Sequence, residues 1–124
     1  MKIALIDDDP VEEVILTGLA ESLETPASFT AFKTLEAFLD DERVQDFDVV
    51  FLDRRIPPHD DFSQTLPKLA TANITARIVL LTAHRLGHVE APPGLDIVGQ
   101  YEKADVLEPD VLEDLVSGRR PVGL

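Results

Sequence analysis

The chain has 124 residues, with 24 acids against 11 Lys and Arg, a net charge of −13, and no cysteine. That length suits a single domain with its own hydrophobic core, and the acidic surface repels phosphate backbones, which argues against nucleic acid as a partner. Without cysteine there are no disulfides, thiolate metal sites or Cys nucleophiles; without a signal peptide or a long apolar run, a cytoplasmic protein with no membrane partner is expected.

Lys2 to Ile6 reads as a short apolar strand. Asp9 and Pro10 follow as N-cap and first helical residue, and Glu12 stands at capping-box spacing from Asp9. Val11, Val14, Ile15, Gly18, Leu19 and Leu23 then recur at helical spacing. Ala27 to Phe32 is β-prone, and Thr34 can cap a helix carrying Leu35, Phe38 and Leu39. Asp48 to Asp53 reads as a central strand buried on both faces. Pro57 and Pro58 break the chain, and a helix is predicted from about Phe62 to Ala72. Ala76 to Ala83 is another apolar run. A helix is due next by alternation, but Gly87 and Pro92-Pro93-Gly94 predict one turn or an irregular loop. Ile97 to Tyr101 can form a fifth strand. Pro109 opens a last helix with Val111, Leu112, Leu115 and Val116 on one face, and Gly118 stops it. The tail from Gly118 to Leu124 is expected to fray.

Alternating units of this kind predict an α/β protein: a doubly wound, five-stranded parallel sheet with helices on both faces and a short or irregular fourth helix. The strand order 2-1-3-4-5 is borrowed from flavodoxin-like sheets. One domain is expected over residues 1–124, with no repeat.

In such sheets ligands sit at the carboxyl ends of the strands. Asp7, Asp8 and Asp9 end the first strand and Asp53 ends the third. In the borrowed order those strands are neighbours, so Asp7, Asp8 and Asp53 converge. Like charges at one site repel, and a divalent cation with hard-oxygen preference resolves the conflict. The cluster therefore points to Mg²⁺ together with a phosphate. Thr82 ends the fourth strand, where a hydroxyl can bond a phosphoryl oxygen, and Lys103 follows the fifth, where an ammonium can pair with carboxylate or phosphate.

This set resembles a response-regulator receiver domain of a two-component system, of the stand-alone type. The resemblance rests on the pair Asp7-Asp8, on "LDRRIP" with Asp53, on "LLTA" with Thr82, and on Lys103. It implies that Asp53 accepts a phosphoryl group from a histidine kinase or histidine phosphotransfer protein, with Thr82 and Lys103 assisting. It implies Mg²⁺ held by Asp8 directly, by Asp7 mostly through water, by Asp53 and by the backbone carbonyl of Arg55. A downstream protein partner follows, with no output domain, no catalysis beyond the chain's own phosphorylation and dephosphorylation, and a monomer or weak dimer.

Several positions depart from that pattern. Ala104 follows Lys103 where the family has Pro after a cis bond; here the peptide is either trans with Lys103 aimed differently, or strained. Gln100 takes the place of a switch aromatic, and Tyr101, one residue later, faces the other side of the strand. Phe62 stands where Gly is common. The altered fourth-helix region implies a specialised partner surface, signalling through the first helix, or a loop gating Asp53. Arg55 and His84 lie two positions after Asp53 and Thr82; in the family such positions border the phosphate and tune its lifetime, so each is read either as a tuning residue or as a solvated side chain. His59 and His88 read as exposed loop residues. Two other readings exist. Asp7-x-Asp9 resembles the first motif of haloacid-dehalogenase-type phosphatases, with Asp7 as nucleophile and Asp9 as acid. The chain can also be a receiver-like binding module that is never phosphorylated.

Overall fold

A computed structural model describes residues 1–84 and 87–118. Five parallel strands, β1 (Lys2–Ile6), β2 (Ser28–Phe32), β3 (Val49–Asp53), β4 (Arg77–Thr82) and β5 (Asp96–Glu102), form one sheet in the order β2-β1-β3-β4-β5. The helices are α1 (Pro10–Ala20), α2 (Leu35–Leu39), α3 (Phe62–Thr71), α4 (Lys103–Val106) and α5 (Pro109–Ser117). The expected doubly wound flavodoxin-like fold is therefore the observed one.

Strand alternation splits the apolar residues into two cores. Ala4, Ile6, Val50, Leu52, Ile78 and Leu80 face one side of the sheet, with Leu35 and Phe38 of α2 and Phe62, Leu66 and Leu69 of α3. Ile3, Leu5, Val49, Phe51, Val79 and Leu81 face the other, with Leu16 of α1, Val106 of α4 and Leu112, Leu115 and Val116 of α5. All five residues of β3 are buried, which explains its unbroken apolar run. Each large side chain buried this way contributes on the order of 1.5–3 kcal/mol.

Helix ends follow the local chemistry. Asp9, Thr34 and Asp61 cap α1, α2 and α3, each accepting from a backbone N–H of the first turn. Gly118, at φ 88°, ends α5 in the left-handed conformation that glycine adopts freely. Among the described residues no helix forms between Thr82 and Asp96, in line with the loop expected there. Val89 and Leu95 of this segment pack against the first core in place of a helix. Arg85, Leu86 and the tail from Arg119, including its expected fraying, lie outside the described residues.

Two local expectations, the Glu12 capping box and the bounds of β5, are corrected, and two features are new. The apolar stripe of α1 points mostly outward: Val11, Val14 and Ile15 are 59%, 70% and 38% exposed, while Leu16 and Glu12 are buried. Glu12 closes no capping box, because the Asp9 N–H donates to Asp7 Oδ1 at 3.0 Å instead. β5 starts one residue earlier and ends one later than read, with Val98 as an extra residue where the pairing steps from Ile78–Ile97 to Val79–Gly99. The chain after β5 turns at once into α4, which the apolar pattern did not announce because it offers only Val106 to the core. Among the described residues no helix is long and apolar enough to cross a membrane.

Candidate functional site

The acidic residues at the end of β1 meet Asp53 because β1 and β3 are hydrogen-bonded neighbours. Asp7, Asp8 and Asp53 each place a carboxylate oxygen within 4.8 Å of the others. Asp7 and Asp53 are buried, and Asp8 is exposed at the rim. A set of hard oxygens, part buried and part open to solvent, fits a small divalent cation that keeps some of its water.

Lys103 closes the site from the far side. Its Nζ donates to Asp7 Oδ2 at 3.0 Å and lies 3.4 Å from Asp53 Oδ1. The Lys103–Ala104 peptide is trans, since Pro57–Pro58 is the cis bond found among the described residues. Lys103 still aims at the carboxylates because β5 runs through Glu102 and the chain enters α4 at Lys103 itself. The absent Pro thus does not misdirect it.

Electrostatics follow from this packing. Burial, then the neighbouring Asp7, push the Asp53 carboxyl up to about 6, against the opposing pull of Lys103 and of the Arg54 backbone N–H. Burial works against the Lys103 charge, but its bond to Asp7 and the charge of Asp53 outweigh it, so Lys103 is held above its ordinary range. Glu12 belongs to the same neighbourhood. Burial holds its carboxyl above the usual range, Lys103 pulls it down, and Asp7 and Asp9 add to the rise. The sequence reading missed this role because the capping-box spacing supplied a sufficient local explanation.

Asp53, Arg54, Arg55, Thr82, Ala83, His84 and Lys103 line one cavity of about 290 Å³. A larger groove, of about 490 Å³, lies between α5 and the segment that follows α1, lined by Ser22, Leu23, Glu24, Pro109 and Glu113. Thr82 is buried, and its hydroxyl donates to the His84 carbonyl at 2.8 Å. Gln100 Nε2 donates to the Gly87 carbonyl at 2.6 Å, so β5 and the end of β4 both tie down the loop that replaces the fourth helix. Tyr101 is buried in the second core, on the opposite side of β5 as expected from strand alternation.

The turn from β3 to α3 is fastened at several points. Ile56 is fully buried in the first core. The His59 N–H donates to the Ile56 carbonyl at 2.8 Å. His59 is not the exposed residue expected: its side chain is 10% exposed and its Nε2 lies 2.9 Å from Glu36 Oε1 on α2. That bond, formed across the fold, has no local signature. Arg54 Nε pairs with Asp61 Oδ1 at 3.0 Å, a second contact that the sequence reading did not single out. His88 is exposed as expected.

No protein-family model matches the chain, and a search of curated proteins finds no match. Solved structures do match. The N-terminal domain of a response regulator/sensory box/GGDEF 3-domain protein from Carboxydothermus hydrogenoformans aligns with a TM-score of 0.72 at 20% identity, covering 95% of this chain and 92% of that one. A CheY-like response regulator receiver domain from Methylobacillus flagellatus aligns with a TM-score of 0.71 at 19% identity, over 95% and 97% of the two chains. The response regulator domain of Thermotoga maritima CheB gives 0.68 at 14% identity, over 94% of each. The chain therefore has the fold of response-regulator receiver domains, the family it resembles by its residues. Identities this low establish the fold; the site's chemistry has to be argued from the residues themselves.

Proposed function

We propose that this chain is a phospho-receiver: Asp53 takes a phosphoryl group from the phosphohistidine of a histidine kinase or histidine phosphotransfer protein, and the phosphorylated form signals through a downstream protein. The observation that carries this reading is the convergence of Asp7, Asp8 and Asp53 at one strand end with Lys103 Nζ set between Asp7 and Asp53. An Asp53 oxygen bonds to phosphorus as the phosphorus–nitrogen bond breaks, and that electron pair returns to the imidazole. Lys103 stabilises charge on the transferring oxygens. The Thr82 hydroxyl leaves the His84 carbonyl for a phosphoryl oxygen, a charged and stronger acceptor. Asp7, Asp8, Asp53 and the Arg55 carbonyl would hold Mg²⁺, which when bound neutralises phosphoryl charge. Arg55 and His84, at the mouth of the same cavity, set how readily water reaches the phosphoryl group.

Asp53 suits the nucleophile's role better than Asp7. Asp7 receives the Asp9 N–H on one oxygen and Lys103 on the other, and its side chain is fully buried. Asp53 opens onto the cavity. The exposed Val11, Val14 and Ile15 lie on the helix that starts beside the acidic cluster and offer a docking face for the phosphodonor protein. A cytoplasmic, monomeric or weakly dimeric protein, acting on no substrate of its own, fits this role.

The test is intact mass after incubation with Mg²⁺ and a small phosphoramidate donor, beside Asp53→Asn. A phosphate adduct on the wild type alone is the expected result. Mg²⁺ binding with no adduct on either protein would favour a receiver-like module that works unphosphorylated, and turnover of a phosphomonoester lost in Asp7→Asn but kept in Asp53→Asn would favour the phosphatase.

A further inference from the structure

Arg54 directly follows Asp53, and Asp61 caps α3, so the two residues stand at opposite ends of the turn that carries the Arg55 carbonyl. Arg54 is fixed by its backbone: its N–H donates to the Leu81 carbonyl at 2.9 Å, extending the β3–β4 ladder. Its side chain then crosses the turn, with Nε 3.0 Å from Asp61 Oδ1. The other Asp61 oxygen accepts the Ser63 N–H at 3.3 Å. One carboxylate thus caps a helix and anchors the residue next to the phosphoacceptor. The Arg54 guanidinium beside it is the leading cause that holds the Asp61 carboxyl below its usual range. Arg54 is 29% and Asp61 40% exposed at the side chain, so as an isolated surface pair it is worth little. Its position gives it another use.

We propose that the Arg54–Asp61 ion pair is a positioning brace that closes the β3–α3 turn and presents the Arg55 carbonyl to a divalent cation held by Asp7, Asp8 and Asp53. The inference rests on the reading of that cluster as a Mg²⁺ site. Neither Arg54 nor Asp61 touches the ion; both act through the turn between them. Backbone ligands are aimed only by the chain around them, and outer partners of metal ligands commonly govern affinity.

A brace and simple electrostatics predict opposite signs. Removing the Arg54 charge beside a cation site should tighten Mg²⁺ binding if charge alone matters. Loss of a brace should weaken it. The variants are Arg54→Met, which keeps the apolar stem without charge or donor, and Asp61→Asn, which keeps a good helix cap. Mg²⁺ affinity is read by titration calorimetry on folded protein, with folding checked by circular dichroism. The expected result is about tenfold weaker binding in each single variant and in the double variant alike, since both lose one interaction. Arg54→Lys should recover part of the loss. Adduct formation from a small phosphoramidate should fall at limiting Mg²⁺ and return to the wild-type rate at saturation, as fits a residue that positions rather than reacts.

Wild type that binds no Mg²⁺ would overturn the metal reading and this inference with it. Wild type that binds Mg²⁺, with Arg54→Met binding equally or more tightly, would overturn the brace alone and leave the phospho-receiver reading standing.

Discussion

Asp53 stands where burial and a neighbouring carboxylate both oppose its charge, and the fold carries that opposition as strain. Its carboxyl titrates near 6, against 3.8 for an unperturbed Asp, so the native state keeps this proton to higher pH than the unfolded chain does. The resulting stabilisation is complete below pH 3.8 and is lost as pH rises through about 6. At neutral pH the ionised Asp53 then weighs against the cation-free fold by roughly 2–3 kcal/mol. Asp53→Asn removes the charge at nearly constant shape. In urea unfolding without divalent cations, Asp53→Asn should exceed wild type by about that amount at neutral pH, and the gap should close below about pH 4. Equal midpoints at neutral pH would mean that Lys103 already compensates the charge in full. The same conflict fits the role proposed for the carboxylate that ends the most buried strand: a group the fold holds under repulsion is one that a cation or a phosphoryl transfer can relieve.

At the scale of elements, α1 shows a divided role. Leu16 is its fully buried apolar contact with the second core, whereas Val14, 70% exposed, contributes nothing there. The helical period was legible in the sequence; the buried face was not. The stripe Val11, Val14, Ile15 and Gly18 is a good amphipathic pattern, and only the place of α1 against β2 and the second core decides that Leu16 turns inward. Two substitutions separate these roles. Leu16→Ala leaves a cavity and should lower stability by about 2–5 kcal/mol. Val14→Glu should leave stability within about 0.5 kcal/mol, since it replaces an exposed β-branched residue with a better helix former. If α1 is the docking face, Val14→Glu should slow phosphoryl transfer from a histidine phosphotransfer protein while leaving the rate from a small phosphoramidate unchanged. Equal loss with both donors would place Val14 among the residues that shape the site and remove α1 as a docking surface.

The whole molecule combines what was readable with what was not. Unbroken apolar runs that end at Asp7, Asp53 and Thr82 placed the strand ends, and the absence of a helix among the described residues between β4 and β5 could be read from Pro92-Pro93-Gly94. Sheet order had to be borrowed, because short parallel strands carry no record of their neighbours. The His59–Glu36 contact, 23 residues apart, depends on how α2 packs beside the β3–α3 turn, and the Arg54–Asp61 contact, 7 residues apart, on the path of that turn, so residue type alone could not reveal them. Net charge also acts at this scale. At −13 the chain repels itself, and any salt should raise its melting temperature by screening. A specific site should add to this. Comparing about 10 mM MgCl₂ with NaCl of equal ionic strength isolates the specific part, because both screen alike to first order. A ligand at a hundred times its dissociation constant stabilises by about 2.7 kcal/mol, which for a domain of this size is a rise of roughly 10 °C. Mg²⁺ should therefore raise the wild-type melting temperature well beyond NaCl. Asp8→Asn should lose most of the excess while keeping its response to NaCl, since Asp8 is exposed and its loss leaves the core intact. Identical shifts from the two salts in the wild type would reduce the acidic cluster to part of the general negative field and take the cation out of the mechanism.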